Sequence, residues 1–452
     1  MTQDEALSIL ETGANVFLTG EPGSGKTHTV NAYVAWLREH DIEPAITAST
    51  GIAATHIGGY TIHSWSGIGI KRSLSKYDLD GIAQNKGVIE RVGGARVLII
   101  DEVSMLAGNT LNMVDAVCRE VRQNESSFGG LQVVLVGDFF QLPPVVRSER
   151  AGTDIQLFED RASIFAFDAL SWEKLNPLVC YLSEQHRQED ETFLDFLSAL
   201  RRDSIDDTHY ELLRTRYTEK PADGVTQLYT HNADVDSLND AELKKLKGDV
   251  KKFDMEERGS KKLIDALKRG CLSPERLLLK IGARVMFTKN DMERKYVNGT
   301  LGVVKGFAQE TGYPIVKTNT GRELIVEPDE WRLADGGRVL ARIMQIPLRL
   351  AWAMTVHKSQ GMSLDAAHMD LSQSFEYGQG YVALSRVRTL SGLTLAGLNA
   401  RALLVHPHIV EKDADFRAHS DAAREAFAAM APDEYTHMVD NFLKVCGGQK
   451  VV

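Results

Sequence analysis

The chain has 452 residues, 43% hydrophobic and 25% charged, with a formal net charge of −10. That is the composition of a soluble globular protein of two to four domains at about 100–200 residues each; it excludes collagen-like, disordered and coiled-coil chains. No apolar run reaches the roughly 18 residues of a membrane span, and the start MTQDEALSIL carries neither a secretory nor a transit pattern.

In chain order, residues 1–180 read as strands alternating with helices. Apolar β-type runs stand at 15–19 (NVFLT), 45–49 (AITAS), 96–100 (RVLII) and 131–136 (LQVVLV). Buried apolar strands between helices imply a mostly parallel sheet covered on both faces. Residues 181–282 continue with helical signals around a strand-like QLYTHN; the Lys-rich stretch 261–280 reads as a solvated helix face rather than a nucleic-acid arm. Residues 283–345 change to short runs (ARVMF, LGVVKGF, PIVKT, ELIVEP) punctuated by Asn298-Gly299 and Asn319-Thr320-Gly321, which predicts a small antiparallel β-barrel. Residues 346–400 return to α/β character with LRLAWAMTVH and LTLAGL as strands, so the β-unit is inserted into a second α/β domain. The tail, 401–452, is helical and polar and carries no recognisable chemistry.

The four cysteines (Cys118, Cys180, Cys271, Cys446) form no CxxC pair, which argues for reduced cytosolic thiols and against zinc. Residues 1–240 hold 20 Lys and Arg against 36 Asp and Glu, whereas 241–280 hold 12 against 7. A polyanionic partner is therefore held by local groups rather than by a global field.

Residues 20–27 read GEPGSGKT, a GxxxxGK[ST] loop with an apolar strand entering it and a helical stretch leaving it. Amides around Gly23, Ser24 and Gly25 and on into Lys26, Thr27 and His28 cradle phosphates at a helix N-terminus. Lys26 pairs with the β- and γ-phosphates and the Thr27 hydroxyl ligates Mg²⁺. A second strand ends in Asp101-Glu102, one carboxylate for the metal and one to orient the attacking water. The strand LQVVLVGD runs into FFQLPPV, where Gln141 is placed to sense the γ-phosphate. No NKxD-type base reader follows a strand, so ATP is preferred to GTP, with other nucleoside triphosphates left open.

In order, GEPGSGKT, TASTGIAATHIGG, TIHSW, LIIDEVSM, GDFFQLPPV, EQHRQ, AWAMTVHKSQG and YVALSRV resemble the Pif-one (petite integration frequency) family of DNA helicases, superfamily 1B, in the RecD-like branch. The likeness runs from residue 3 to about 398. It implies an α/β fold of two RecA-like motor domains with parallel sheets, at 1–180 (with a wedge insertion at about 64–95) and at 181–282 with 346–400. The β-unit at 283–345 becomes an SH3-like insertion in the second. The resemblance makes Gln3 the adenine reader, and Arg187 and Arg386 the arginines that reach the γ-phosphate from the second domain when the cleft closes. A planar guanidinium there stabilises the charge spread over the γ-oxygens.

It assigns single-stranded DNA to Thr50 and Gly51, to His63, and to Thr355, His357 and Lys358, whose hydroxyls, amides and ammonium suit backbone contact. Phe140 and Trp65 either stack on bases or pack the core. The implied activity is ATP- and Mg²⁺-dependent 5′-to-3′ translocation and unwinding of forked or tailed duplexes, with G-quadruplexes and RNA–DNA hybrids as further substrates, in replication, repair or recombination. The implied enzyme is a monomer in the motor cycle, with no membrane partner, cytoplasmic and nucleoid-associated. The alternative is a RecD-like motor subunit of a larger recombination or repair complex.

Overall fold

The structure, a computed structural model, describes residues 1–50, 54, 60–69, 71–144, 164–183, 190–222, 224–289, 291, 295–296, 298–335 and 338–449. The chain divides into two compact units, Met1–Arg187 with Pro407–Val452, and Gln188–His406.

The first unit is built on strands β1 (Val16–Gly20), β2 (Ala45–Ala48), β3 (Tyr60–Thr61), β4 (Val97–Asp101), β5 (Gln132–Val136) and β6 (Leu178–Leu182). All pair in parallel, in the order β3-β2-β4-β5-β1-β6. Residues 16–18, 97–100 and 133–136 are buried without polar alternation, as strands covered on both faces require. The helix Lys26–Glu39 follows β1, and Gly108–Arg122 follows β4. The 64–95 stretch folds as two short helices, Lys76–Ala83 and Lys86–Gly94, capped by Ser75 and Asn85 and packed on Gly108–Arg122.

Under the sheet lies a cluster of rings. Phe17 meets Phe416 and Trp172 at 5.0 Å each, and Phe139 meets Phe167 at 4.7 Å. Such pairs add about 0.5–1.5 kcal/mol each beyond the area they bury. Phe416 belongs to the helix Pro407–Ala428, so the polar tail is part of this unit. Ser420 Oγ accepts from the Tyr181 amide at 3.0 Å, and the Arg417 guanidinium stands 4.2 Å from the Tyr181 ring. The last helix, Pro432–Cys446, lies against the first, Gln3–Glu11: Tyr435 donates to Glu11 Oε2 at 2.8 Å.

The second unit carries β7 (Thr226–Tyr229), β8 (Lys251–Asp254), β9 (Glu256–Gly259), β10 (Arg276–Leu279), β11 (Arg284–Phe287), β12 (Leu301–Phe307) and β13 (Pro314–Thr318). It continues with β14 (Glu323–Ile325), β15 (Asp329–Asp335), β16 (Arg338–Gln345), β17 (Leu348–Leu350), β18 (Ala353–Thr355), β19 (Ala367–Leu371) and β20 (Leu393–Leu398). A parallel sheet, β18-β7-β19-β20, gives the second α/β framework the sequence leads one to expect. The run LRLAWAMTVH is broken between β17 and β18, which belong to different sheets.

The inserted β-region differs from its expected extent. The antiparallel sheet β14-β13-β12-β11-β17 packs around Val285, Phe287, Val304, Val316 and Leu348. The hairpin β15–β16 leaves this sheet and pairs with β9, from upstream of residue 283, as a separate sheet β15-β16-β9. The reason is apolar patterning: Trp331, Ala341 and Ile343 form one face, and Ile264 of the helix Lys261–Gly270 buries it. Half of the Lys-rich stretch is thereby the cover of a small core.

Candidate functional site

The phosphate loop leaves the carboxyl end of β1. Gly23 and Gly25 have φ of +89° and +92°, a region costly for any side chain. Gly20 is also constrained by space, because a Cβ there would stand 2.6 Å from the Leu182 carbonyl oxygen. Gly25 caps the helix Lys26–Glu39, whose exposed first-turn residues Thr27 and His28 flank the loop. Lys26 Nζ donates to the Gly20 and Glu21 carbonyls at 2.7 and 3.0 Å, spanning the loop. Gln3 reaches the same loop from the first helix: its Nε2 donates to Ser24 O at 3.4 Å and its side chain fills the space a Cβ on Gly25 would need. The expected adenine reader thus touches the phosphate loop.

Asp101 ends β4. Burial pushes its carboxyl above the ordinary range, while the Glu102 amide, donating at 2.8 Å, and the Lys26 charge pull the other way. A desolvated carboxylate that feels the Lys26 charge, with the exposed Thr27 hydroxyl next to Lys26 in the chain, fits Mg²⁺, which takes one or two carboxylates and completes its shell with phosphate and water. The described residues contain no cluster of three or more His, Cys, Asp or Glu that would hold an ion by itself. Glu102 sits at φ +52°, ψ +43°, left-handed for a residue with a side chain, and so turns sharply out of the strand. Gly137, after β5, lets the next loop press on that turn: a Cβ there would lie 3.1 Å from the Val103 amide nitrogen. That loop carries Gln141, buried, with its amide donating to Asp138 O at 3.0 Å.

The first DNA motif is joined to this machinery through β2. Ala48 is in register with Asp101, and the Ser49 amide donates to the Asp101 carbonyl at 3.1 Å, directly before Thr50. Gly51 lies outside the described residues. His63 sits in the short turn Ile62–Trp65, its pKa lowered by burial. Arg91, from the helix Lys86–Gly94, clasps the turn by donating to the Ser64 and Trp65 carbonyls at 3.3 Å each. Phe140 and Trp65 are only 3% and 2% exposed. That burial is what the packing alternative expects of both rings.

In the second unit, Thr355 closes β18 and its Oγ1 accepts from the Lys358 amide at 3.4 Å. His357 Nε2 stands 3.4 Å from Glu376 Oε2. Burial lowers the Lys358 pKa, the neighbouring Arg349 lowers it further, and Asp236 opposes both. Arg349, itself depressed by burial, escaped the sequence reading. Its one signal is a charge inside the apolar string LRLAW.

Arg386 is 2% exposed and is held by its own unit: it donates to the Val382 carbonyl at 2.7 Å, the Met362 carbonyl at 3.3 Å and Ser385 Oγ at 2.7 Å. Arg386, which the resemblance expects to reach the γ-phosphate, is thus buried and bonded within its own unit in this structure. Arg187 lies outside the described residues. No helix among the described residues is long and apolar enough to cross a membrane.

Comparison with known proteins gives one answer. The family model described as PIF1-like helicase matches residues 4–211. The ATP-dependent DNA helicase Pif1 of Psychrobacter sp. is 40% identical over 99% of this chain and 75% of its own length. The chain spans 63% of the length of each of the frog and human relatives. Among solved structures, Pif1 helicase from Candida albicans is 32% identical with a TM-score of 0.75, covering 91% of this chain and 98% of that one. The Bacteroides Pif1 helicase in complex with ADP-AlF3 and ssDNA is 27% identical with a TM-score of 0.62, covering 92% and 96%.

Proposed function

The chain belongs to the PIF1-like helicase family, and from that premise we propose that it is an ATP-dependent DNA helicase which tracks single-stranded DNA 5′ to 3′. One observation carries this reading: Lys26, Asp101, Glu102 and Gln141 all stand at or just beyond the carboxyl ends of strands of one parallel sheet, and the strand next to Asp101 leads into Thr50. Ligands of open α/β sheets bind at those ends. A relative holding ADP-AlF3 and ssDNA supports the same pairing of ligands.

In this reading Gln3 contacts the base, and the loop Gly23–Gly25 with Lys26, Thr27 and His28 holds the phosphates. Thr27 and Asp101 hold Mg²⁺, which neutralises the β- and γ-oxygens when bound. Glu102 orients the attacking water and Gln141 reports the γ-phosphate. Arg386 and Arg187 add guanidinium charge during hydrolysis. Thr50, Gly51 and His63, with Thr355, His357 and Lys358, hold the phosphodiester backbone without reading sequence. The proposed domains are a first motor at 1–180 with the wedge at 64–95, a second at 181–282 and 346–400 carrying the β-insertion 283–345, and a tail at 401–452. Forked and tailed duplexes are the substrates, G-quadruplexes and RNA–DNA hybrids further ones; the working form is a monomer at the bacterial nucleoid.

The test is ATP turnover with and without an oligonucleotide, then displacement on duplexes bearing a 5′ or a 3′ tail. Oligonucleotide-stimulated turnover with displacement from the 5′ tail alone is expected; turnover indifferent to DNA would end the proposal.

Lys358 supplies a second test. A lysine must keep its proton to attract phosphate, and a lowered pKa releases that proton at a lower pH than usual. Affinity for a single-stranded oligonucleotide is therefore expected to fall on the alkaline side before ordinary lysines titrate. Lys358→Arg, always charged, should flatten that limb. Identical pH profiles for the two proteins would remove Lys358 from the contact.

A further inference from the structure

The sheet β15-β16-β9 has one face packed against the helix Lys261–Gly270, and its other face presents arginines to solvent. On the open face Arg332 is directly opposite Arg342, and Arg342 is directly opposite Arg258. All three are exposed. Three like charges in one cross-strand row repel one another, and neighbouring strands are only about 4.8 Å apart. The adjacent row is Glu330, Met344 and Glu256, and only Arg342 uses it, donating to Glu330 Oε2 at 3.1 Å. Arg258 and Arg332 form no ion pair among the described residues. Folding gains nothing from such an arrangement, whereas an arriving anion relieves it.

We infer that this arginine row is a second nucleic-acid contact, a grip on the phosphate backbone of duplex DNA. The inference rests on the helicase reading above. Guanidinium groups meet phosphate oxygens in paired hydrogen bonds, and three of them about 10 Å from end to end face two or three phosphates. The face has no exposed aromatic side chain among the described residues; Trp331 points into the opposite core and is 4% exposed. A ring-free cationic row holds backbone alone, and a duplex presents its phosphates in a fixed, regular line. The row thus steadies the duplex that the motor approaches, while the strand being tracked is held elsewhere.

The test replaces Arg258, Arg332 and Arg342 by Ser, singly and together, and titrates salt against two probes: a duplex with a 5′ single-stranded tail, and the tail oligonucleotide alone. Each phosphate contact contributes about 0.9 to the slope of log K against log salt, so the triple variant is expected to lose about 2–3 from the tailed-duplex slope. Its affinity for the tail alone and its oligonucleotide-stimulated ATP turnover should match the parent, and its melting temperature should equal or exceed the parent's because the repulsion in the row is removed. An equal loss on the tail alone overturns the duplex assignment in favour of a single-strand contact. No loss on either probe overturns the inference and leaves an acidic protein as the partner of the row. If the unsubstituted chain shows no DNA-stimulated turnover, the helicase reading itself fails, and the row with it.

Discussion

Lys26→Ala is expected to cut ATP turnover by about 10²–10³-fold or more, the loss that follows when one preorganised donor to a developing anion is removed. Lys26 spans the loop by donating to two carbonyls, Gly20 O and Glu21 O. Bound phosphate must win the ammonium from those oxygens, exchanging neutral acceptors for charged ones, which hold it roughly twice as strongly. The same charge pulls the Asp101 carboxyl toward ionisation against burial. One substitution therefore weakens both the phosphate clamp and the metal ligand. The fold should persist, because Gly20, Gly23 and Gly25 set the loop's path. A coupled ATPase assay beside a melting curve decides: parental turnover in this variant would remove the loop from the chemistry.

Glu102→Gln should separate binding from hydrolysis. General-base assistance is worth about 10²–10⁴-fold, and an amide of the same shape cannot take the proton. The left-handed turn at Glu102 is set by the strand end and by the Gly137 loop pressing on it, so the glutamine should follow the same path. Turnover is expected to fall within that range while nucleotide affinity changes by a few-fold at most. An equal collapse of affinity would mean that Glu102 is a ligand of the metal or the loop rather than the base.

The first parallel framework was legible because residues 16–18, 97–100 and 133–136 are apolar without interruption, and the phosphate loop because its glycines have a mechanical job. What stayed illegible depended on contacts between distant stretches. Nothing in the string DFRAHSDAAREAF announces that Phe416 meets Phe17, or that Ser420 pairs with Tyr181. The hairpin β15–β16 carries the same alternation as its neighbours, and only its pairing with β9 shows that it belongs to another sheet. Motif order named Arg386 but said nothing of the Val382, Met362 and Ser385 oxygens that accept from it. A buried arginine so satisfied has to exchange partners before it serves a reaction, and such an exchange leaves no mark in a sequence.

The return of residues 407–449 to the first unit changes what a shortened chain would be. A protein ending at His406 would keep every motif yet lose Phe416 from the floor beneath β1 and Phe442 from beside Gly13. The damage would surface at the nucleotide, because β1 feeds the Lys26 loop and the first helix carries Gln3. The segment that looks most dispensable in the sequence is the keel of the fuel chamber.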